Sequence, residues 1–509
     1  MRSLIRWLRR SVAVPASLTL AGCMVGPDFS SPAAPSVEGY TVERHLKRAS
    51  ATAVPGGTGQ SFVSSEKVYG QWWGLFHSRQ VNALVEEAVR NHPDLRAAQF
   101  ALRSAREKVL AEGGSLLPEA SLSNSATREK SGTASAYTLY NASVSVSYSL
   151  DIFGGTRRQI EELQAQADYQ RFELEATYLS LTANVVTAAI TDASLRAQIA
   201  ATEDIIRAER DQLDRVQRQF ELGAVAQSDV ASQQSTLAQT EATLPPLQKQ
   251  LAQERDQLMA YLGRLPSEDQ GEKVDLSALA LPRKLPVSLP SSLVRQRPDI
   301  RVAEATLHAA TAQVGVDVAN MLPQVTLTGS YGGSGNSISN MFSAEGIAWS
   351  AATSVTQTIF DGGSKYHTKE ASVAAFEQDL ATYKSTVISA FQDVADSFRA
   401  VQFDADTLKA QAAAEKAAAD SLRIAEEQYR AGATSYATII DAQQTYQNAR
   451  ISRVKAQASR FTDTVALFQS LGGGWWNRVD ETPDAAPRVK PGYFAGPSKK
   501  VLSTAFSRN

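Results

Sequence analysis

The chain has 509 residues, a formal net charge of −2, 43% hydrophobic residues and a single cysteine. The near-neutral charge gives no electrostatic reason to expect nucleic-acid binding. The cysteine and the five histidines, none of them spaced as a ligand pair, give little support for a zinc site or a cysteine nucleophile. We therefore expect no enzyme active site and no metal centre.

The first 22 residues have the layout of a secretory signal peptide, because arginines near the start precede a short apolar stretch from Ser11 to Ala21. That stretch is well short of the roughly 20 residues that a membrane-spanning helix needs. Leu20-Ala21-Gly22-Cys23 resembles the bacterial lipobox, which predicts cleavage before Cys23 and a diacylglycerol on its thiol. An ordinary signal peptide beside an incidental cysteine is the alternative. Met24 stands where an aspartate would retain such a lipoprotein at the inner membrane, so we expect the outer membrane.

The rest of the chain is a tandem duplication. His92-Pro93-Asp94-Leu95-Arg96 returns as Arg297-Pro298-Asp299-Ile300-Arg301 at an offset of 205 residues, and later motifs drift only to an offset of 209. This period is too long for a solenoid, so each half should build the same structure. We divide the chain into a lipid-anchored N-terminal segment (23–90), a first repeat (91–263), a linker (264–296), a second repeat (297–472) and a C-terminal segment with a charged tail (473–509).

Each half begins with about 22 helix-forming residues that end at a Leu-Pro pair, since proline cannot continue a helix. Two strands follow, in which valine, leucine or tyrosine alternates with serine or threonine. Alternation at period two gives a strand one apolar and one polar face. We expect hairpins over 119–152 and 324–360, with strands at 119–128, 139–152, 324–332 and 348–360.

Long helices come next. From Thr156 to Phe220 apolar residues recur at spacings of 3, 4 or 7, and the second half repeats this from Leu380 to Leu408. Some 65 residues at about 1.5 Å each make a helix of about 100 Å. Gly223 and Gly432 should end these helices as C-cap glycines, with antiparallel helices returning after them. Pro245-Pro246 should break the first return helix partway.

Four strands are too few to close a sheet within one chain. In lipid every backbone hydrogen-bonding group must be paired, and the smallest bacterial barrels have about eight strands. The chain must therefore oligomerise if its strands enter a membrane. Two solvent-exposed hairpins on a coiled-coil stalk are the alternative, and they would leave long open edges.

The sequence resembles the TolC-like outer-membrane efflux channels, and within them the OprM- or NodT-like lipoprotein branch. The resemblance covers nearly all of residues 20–476 and rests on motifs in a fixed order, which are Cys23 with Gly26-Pro27-Asp28-Phe29, Trp72-Trp73, Asp94-Leu95, Arg297-Pro298-Asp299-Ile300, Phe360-Asp361-Gly362-Gly363 and Gly473-Gly474-Trp475-Trp476. It implies a mostly helical α+β chain, three copies of which form a 12-stranded β-barrel continuous with a periplasmic α-helical barrel. Segments near 24–90, 264–296 and 473–509 would form an equatorial belt.

The resemblance implies a passive function. The homotrimer would be the outer-membrane channel of a tripartite efflux system that carries drugs or toxic compounds from a periplasmic adaptor and an inner-membrane transporter to the cell exterior. The sequence has no nucleotide-binding motif, so the energy must come from that transporter. Two alternatives remain, the conduit of a type I protein secretion system and a structural coiled-coil lipoprotein without a channel. We expect no cofactor beyond the covalent lipid on Cys23.

The resemblance also implies a periplasmic gate near the two helix-to-helix turns, Gly223 to Ser232 and Gly432 to Asp441. In family members of this type an aspartate aligned with Asp441 lies near the constriction, and a residue one turn earlier, here Ala437, narrows the pore further. The sequence departs from the family pattern at two positions. Ala437 is smaller than the usual leucine, and Gln444 replaces an arginine that can pair with the aspartate.

These departures predict a closed state that is held less tightly, or by other contacts such as those of Asp229 and Arg430. Three symmetry-related Asp441 carboxylates would repel one another and attract cations, which favours cation selectivity and block by multivalent cations. An Asp441 that only caps or solvates a helix is the alternative.

Overall fold

The computed structural model describes residues 24–37, 39–42, 48–64, 67–133 and 135–478. The predicted signal peptide, Cys23 and the tail from residue 479 onward lie outside the described residues. The described helices are α1 (Arg79–Asn91), α2 (Pro93–Gly113), α3 (Gly155–Glu221), α4 (Gln227–Tyr261), α5 (Pro290–Gln296), α6 (Pro298–Asn320), α7 (Ile338–Met341), α8 (Ser364–Arg430) and α9 (Tyr436–Ser470). The described strands are β1 (Ser61–Val63), β2 (Glu119–Glu129), β3 (Tyr137–Leu150), β4 (Lys284–Pro286), β5 (Gln324–Gly335) and β6 (Ile347–Thr356).

The two halves have the same order of elements, as the duplication predicts. The first half runs α2, β2, β3, α3, α4, and the second runs α6, β5, β6, α8, α9, with the single turn α7 added between the strands. The long helices α3 and α8 both have 67 residues, and the return helices α4 and α9 both have 35. At about 1.5 Å per residue, each long helix spans about 100 Å. The predicted mostly helical α+β fold is therefore confirmed.

Local chemistry explains where the long helices begin. The carboxylate of Asp151 accepts hydrogen bonds from the backbone N–H groups of Thr156 (3.0 Å) and Arg157 (3.2 Å), and so satisfies donors that have no partner inside α3. Asp361 does the same at the start of α8, where it accepts from Lys365 N at 3.0 Å. Gly154 (φ 77°) makes the turn that lets the chain leave β3 and enter α3.

The strands form a sheet and the long helices form a second layer. From one edge to the other, the helices follow the same order as the strands to which they are connected. The sheet has the order β2-β3-β5-β6, with every neighbouring pair antiparallel. In the helical layer α3 packs against α2 and α4 on one side and against α6 and α9 on the other, and α8 packs against α6 and α9. Thus β2 lies on the side of α2 and α4, and β6 lies on the side of α8.

Three segments outside the repeats meet around the helices. β1 pairs in parallel with β4, which joins the N-terminal segment to the linker between the repeats. Trp72 stacks on Phe468 of α9, with ring centroids 5.6 Å apart, and Trp475 Nε1 donates to Gln296 O at 2.7 Å. Trp72 is buried in this arrangement, and Trp475 is half-buried. Among the described residues, no helix combines the length and the apolar character that crossing a membrane requires.

Two predictions from local sequence were wrong. Pro245 and Pro246 do not break the return helix, since α4 runs unbroken from Gln227 to Tyr261. Both prolines lie on its exposed face, where water can bind the carbonyls that lose a helical partner, while the opposite face packs on α3. The last strand is shorter than predicted, because β6 ends at Thr356 and not at residue 360.

Candidate functional site

The four-stranded sheet has one apolar face. Pairing across the sheet places Leu122, Val144, Tyr331 and Trp349 in one row that crosses all four strands. Their exposed fractions are 77%, 48%, 60% and 75%. A continuous row of large apolar side chains that the chain itself does not cover indicates contact with another apolar phase or with a partner.

The opposite face of the same sheet is lined by hydroxyl groups. The row next to the apolar one consists of Ser121, Ser145, Ser330 and Ser350. The Oγ atoms of Ser330 and Ser350 lie 2.8 Å apart, within hydrogen-bonding distance. The predicted alternation of apolar and polar faces is confirmed, and the strand register extends it across the whole sheet.

Both layers are open on the same two sides. Within the described chain β2 and β6 are the edge strands, each with a full row of backbone groups that no strand of the same chain pairs. The helical flanks beside them carry exposed aromatic and aliphatic side chains, Phe100 and Leu110 on α2 and Ile388 and Phe403 on α8. Open edges of this kind are suited to pairing with another chain.

The far ends of the long helices turn at the two predicted glycines. Gly223 and Gly432 have φ angles of 73° and 72°, in the left-handed region that favours glycine. At the first turn Gly223 N donates to Phe220 O and Ala224 N donates to Gln219 O, both at 2.8 Å. The second turn has the equivalent pair of bonds. Each turn therefore satisfies two terminal carbonyls of the preceding helix.

The predicted gate residues lie beside these turns. Ala437 and Asp441 are exposed and lie one turn apart on α9, and Gln444 is half-buried on the same helix. Asp441 lies in the second turn of α9, past the position of an N-cap. Its side chain is exposed beside the turn between α8 and α9, at the end of the helices that we call the tip.

The other two predicted gate residues interact within their own helices. Asp229 Oδ2 accepts from Ala226 N at 3.2 Å and so caps the start of α4. Arg430 forms an exposed ion pair of 3.6 Å with Glu426, one turn earlier on α8. Neither contact joins the two helix pairs to each other.

A buried hydrogen bond joins the helix pair α3 and α4 to the helix pair α8 and α9, and no pattern in the sequence indicated it. Tyr436 Oη at the start of α9 donates to Gln233 Oε1 on α4 at 2.6 Å, and both side chains are buried. Burial raises the pKa of Tyr436 to about 12, so the phenol is a proton donor at neutral pH. Gln233 Nε2 donates onward to the backbone O of Glu209 on α3 at 3.2 Å. The tip is thus held by polar contacts among α3, α4 and α9.

Asp404 on α8 has two charged neighbours on α9, the carboxyl group of Asp463 and the guanidinium of Arg460. Burial, and then the neighbouring Asp463, raise the pKa of Asp404 to about 7, although Arg460 acts in the opposite direction. Arg460 is itself fully buried, and its Nη1 donates to Gly56 O at 2.7 Å. The Asp404 carboxyl therefore holds its proton to a higher pH than an ordinary aspartate does.

We expect Asp404→Asn to flatten the dependence of stability on pH. The carboxyl pKa is about 7 in the folded chain and about 3.9 in an unfolded one, so the unfolded state loses its proton first as pH rises. Stability should fall between about pH 4 and pH 7 in the wild type and stay low above that range. Melting temperatures of the purified protein at pH 5 and pH 8 should differ less for Asp404→Asn than for the exposed control Asp406→Asn. Equal differences in the two variants would exclude Asp404 as the titrating group.

Comparison with known sequences gives matches over most of the chain. The sequence model of the family described as outer membrane efflux protein matches residues 84–264 and 289–473. The probable efflux pump outer membrane protein TtgC of Pseudomonas putida is 28% identical over 494 residues, which cover 94% of this chain and 98% of the relative. Nodulation protein T of Rhizobium leguminosarum is 28% identical over 94% of this chain and 95% of the relative.

Solved structures of outer-membrane channels have the same fold as this chain. The outer-membrane channel OprN superimposes with a TM-score of 0.80 and 26% identity, over 89% of this chain and 100% of that one. The open state of the Neisseria gonorrhoeae MtrE outer membrane channel gives a TM-score of 0.76 at 23% identity, over 90% of this chain and 100% of that one.

Proposed function

The chain belongs to the outer membrane efflux protein family, and on that premise we propose that it is the outer-membrane channel of an efflux pump. The family consists of channels, so no catalytic step is assigned to the chain. The channel is a passive conduit for small molecules, and the energy for export comes from a pump in the inner membrane.

The two-faced sheet with open edges carries this proposal. One chain supplies four strands, so three copies supply twelve, which is enough to close a barrel with the Val144 row toward lipid and the Ser145 row toward the lumen. The edge strand β2 of one copy would pair with β6 of the next. Because these edges are different surfaces, the contact is heterologous, and a threefold rotation closes it into a ring.

The helical layer closes by the same rotation. The flank formed by α2 and α4 of one copy would pack against α8 of the next, which covers the exposed apolar side chains on both flanks. Four helical columns per copy then give a tube of twelve columns in line with the barrel. The tips at Gly223 and Gly432 form the far end, where a periplasmic adaptor would connect the channel to the inner-membrane transporter.

Reconstitution into planar lipid bilayers tests the proposal. The purified chain should produce discrete conductance steps, because a closed barrel with a polar lumen passes ions. A structural coiled-coil lipoprotein would give none, and a bilayer that stays silent at all voltages would contradict the channel. Crosslinking in cells followed by purification tests the remaining alternative, since a small-molecule efflux channel should bring down an inner-membrane transporter of small molecules and a type I secretion conduit a transporter of proteins.

For the gate, we expect Asp441→Asn to weaken cation selectivity and to reduce block by multivalent cations. Three exposed carboxylates around one axis would concentrate cations at the narrow end, and the amide removes that charge without changing the size of the side chain. Single-channel recordings of Asp441→Asn and wild type measure both properties. Unchanged conductance, selectivity and block would identify Asp441 as an ordinary surface acid.

For the anchor, we expect Cys23→Ser to abolish lipid attachment and cleavage at that site. The lipobox requires the thiol, and an acyl anchor contributes about 0.8 kcal/mol per buried methylene to membrane binding. Metabolic labelling with a fatty acid should mark the wild type and not the variant, while channel activity survives in part because the barrel itself inserts. Label on the serine variant would show that the lipid is attached elsewhere.

A further inference from the structure

The first described residues, Met24 to Ser31, contact both α3 and α6, and we call them the N-terminal strap. Val25 N donates to Phe153 O at 3.1 Å, immediately before α3 begins. Gly26 (φ 88°) touches Gly315 of α6 so closely that a Cβ on Gly26 would lie 2.5 Å from Gly315 Cα. The strap is therefore seated on the helices at the end that is nearest to the sheet.

A single buried arginine holds the first part of the strap. Arg158 is completely buried, although it is only three residues from the start of α3. Its Nε donates to Val25 O at 3.0 Å, and its Nη2 donates to Gly26 O at 3.3 Å and to Asp28 Oδ1 at 2.7 Å. The backbone of the strap thus satisfies a buried cation, which would otherwise be costly to keep in the fold.

The second part of the strap contacts α6 through Phe29, and Glu161 connects this contact to Arg158. The ring of Phe29 stacks on His308 of α6, with centroids 4.2 Å apart and an interplanar angle of 17°. His308 Nε2 lies 3.1 Å from Glu161 Oε1, and Glu161 Oε2 pairs with Arg158 Nη1 at 2.7 Å. The strap, α3 and α6 therefore share one connected set of contacts, in which Gly26, Asp28 and Phe29 of the Gly-Pro-Asp-Phe motif take part.

We propose that the strap is a latch that holds the membrane anchor at the end of the sheet where β3 joins α3. Arg158 is the residue that positions the strap. This inference rests on the proposed lipid at Cys23. The side chain of Met24 packs on Gly154, between β3 and α3. Cys23 is the residue directly before Met24, and consecutive Cα atoms are about 3.8 Å apart. A lipid on Cys23 would therefore be attached close to this junction. A strand that enters the membrane crosses the headgroup level at this junction.

The latch gives the lipid a role in assembly beyond attachment. A short, fixed tether raises the effective concentration of the sheet at the membrane surface, and this gain is lost as the tether becomes longer and more flexible. If the strap detached, the anchor would be joined to the fold through a much longer length of chain. The sheet would then reach the membrane less often in a position from which it can insert.

Gly26→Ala tests the latch, with Gly39→Ala as the matched control. The added Cβ strains a left-handed residue and clashes with Gly315, whereas Gly39 lies beyond the strap and has neither constraint. We expect Gly26→Ala and Arg158→Gln to be labelled by fatty acid like the wild type but to yield several-fold less heat-stable oligomer in the outer membrane. Gly39→Ala should match the wild type. Normal oligomer yield in both latch variants would overturn the latch and leave the anchor intact, and absence of label in the wild type would overturn the anchor.

A second measurement separates positioning from a general loss of folding. Chains that carry Cys23→Ser have no lipid to position, so adding Gly26→Ala should change the yield of oligomer refolded in detergent micelles by less than about twofold. A loss in micelles as large as the loss in membranes would show that the strap only stabilises the fold, and would overturn the positioning role.

Discussion

Arginine in place of Val144 is expected to prevent assembly in the outer membrane. Val144 lies at the middle of β3, in the row with Leu122, Tyr331 and Trp349 that forms the apolar face of the sheet. An arginine on the lipid face at the bilayer midplane costs about 2–4 kcal/mol per copy, and a trimer contains three copies. The yield of heat-stable oligomer in the outer-membrane fraction should fall to near zero.

The control for this experiment is the next residue in the strand. Ser145 lies at almost the same depth but on the opposite face, in the row of serines. Ser145→Arg places the same charge in the aqueous lumen, so the oligomer should assemble and only its conductance should change. If Ser145→Arg abolished assembly while Val144→Arg did not, the assignment of the two faces would be reversed. Equal effects would show that the sheet does not separate lipid from water.

Tyr436→Phe is expected to favour the open state of the tip. The variant keeps the ring but removes the hydroxyl, so the buried Gln233 Oε1 loses its hydrogen-bond donor. Leaving a buried acceptor without a partner costs about 1–3 kcal/mol, which corresponds to a shift of roughly 5- to 150-fold in the ratio of closed to open channels. Single-channel recordings should show larger conductance or longer openings, and cells should become sensitive to large antibiotics that intact outer membranes exclude.

Tyr446→Phe is the matched control for the tip. Tyr446 lies on the same helix, and within the described residues its hydroxyl makes no hydrogen bond. Its loss should therefore leave the conductance unchanged. An unchanged conductance in Tyr436→Phe as well would show that the link to Gln233 does not hold the tip closed.

The parts of this structure that depend on local sequence could be predicted. Alternation of Val144 with Ser145 along one strand is sufficient to give two faces, because the side-chain period of a strand is two. Gly223 and Gly432 are recognisable because glycine takes the left-handed conformation that ends a helix. A local rule failed at Pro245 and Pro246, where packing of α4 on α3 outweighs the loss of hydrogen bonds on the exposed side.

Contacts between distant segments had no comparable signal. Tyr436 and Gln233 are 203 positions apart, and neither stands in a pattern that indicates a partner. Arg158 follows Arg157 at the start of a helix, where an arginine is normally exposed, and only the tertiary structure shows that the strap buries it. The sequence therefore predicted the turn of the tip and the motif of the strap, but not the residues that hold either of them.

Disulfide crosslinking between edge strands tests the central claim, that three chains close one barrel, most directly. Ser123→Cys on β2 is combined in turn with cysteine at Ser350, Ala352 or Ser354 on β6, all on the polar face of the sheet. The only native cysteine, Cys23, would be blocked by its lipid, so each covalent link reports one contact between neighbouring copies. After oxidation of intact cells, denaturing gels should show monomers, dimers and trimers and nothing larger, because a closed ring of three has no free edge. Monomers alone for every pair, or a ladder that continues beyond three chains, would contradict the closed trimer.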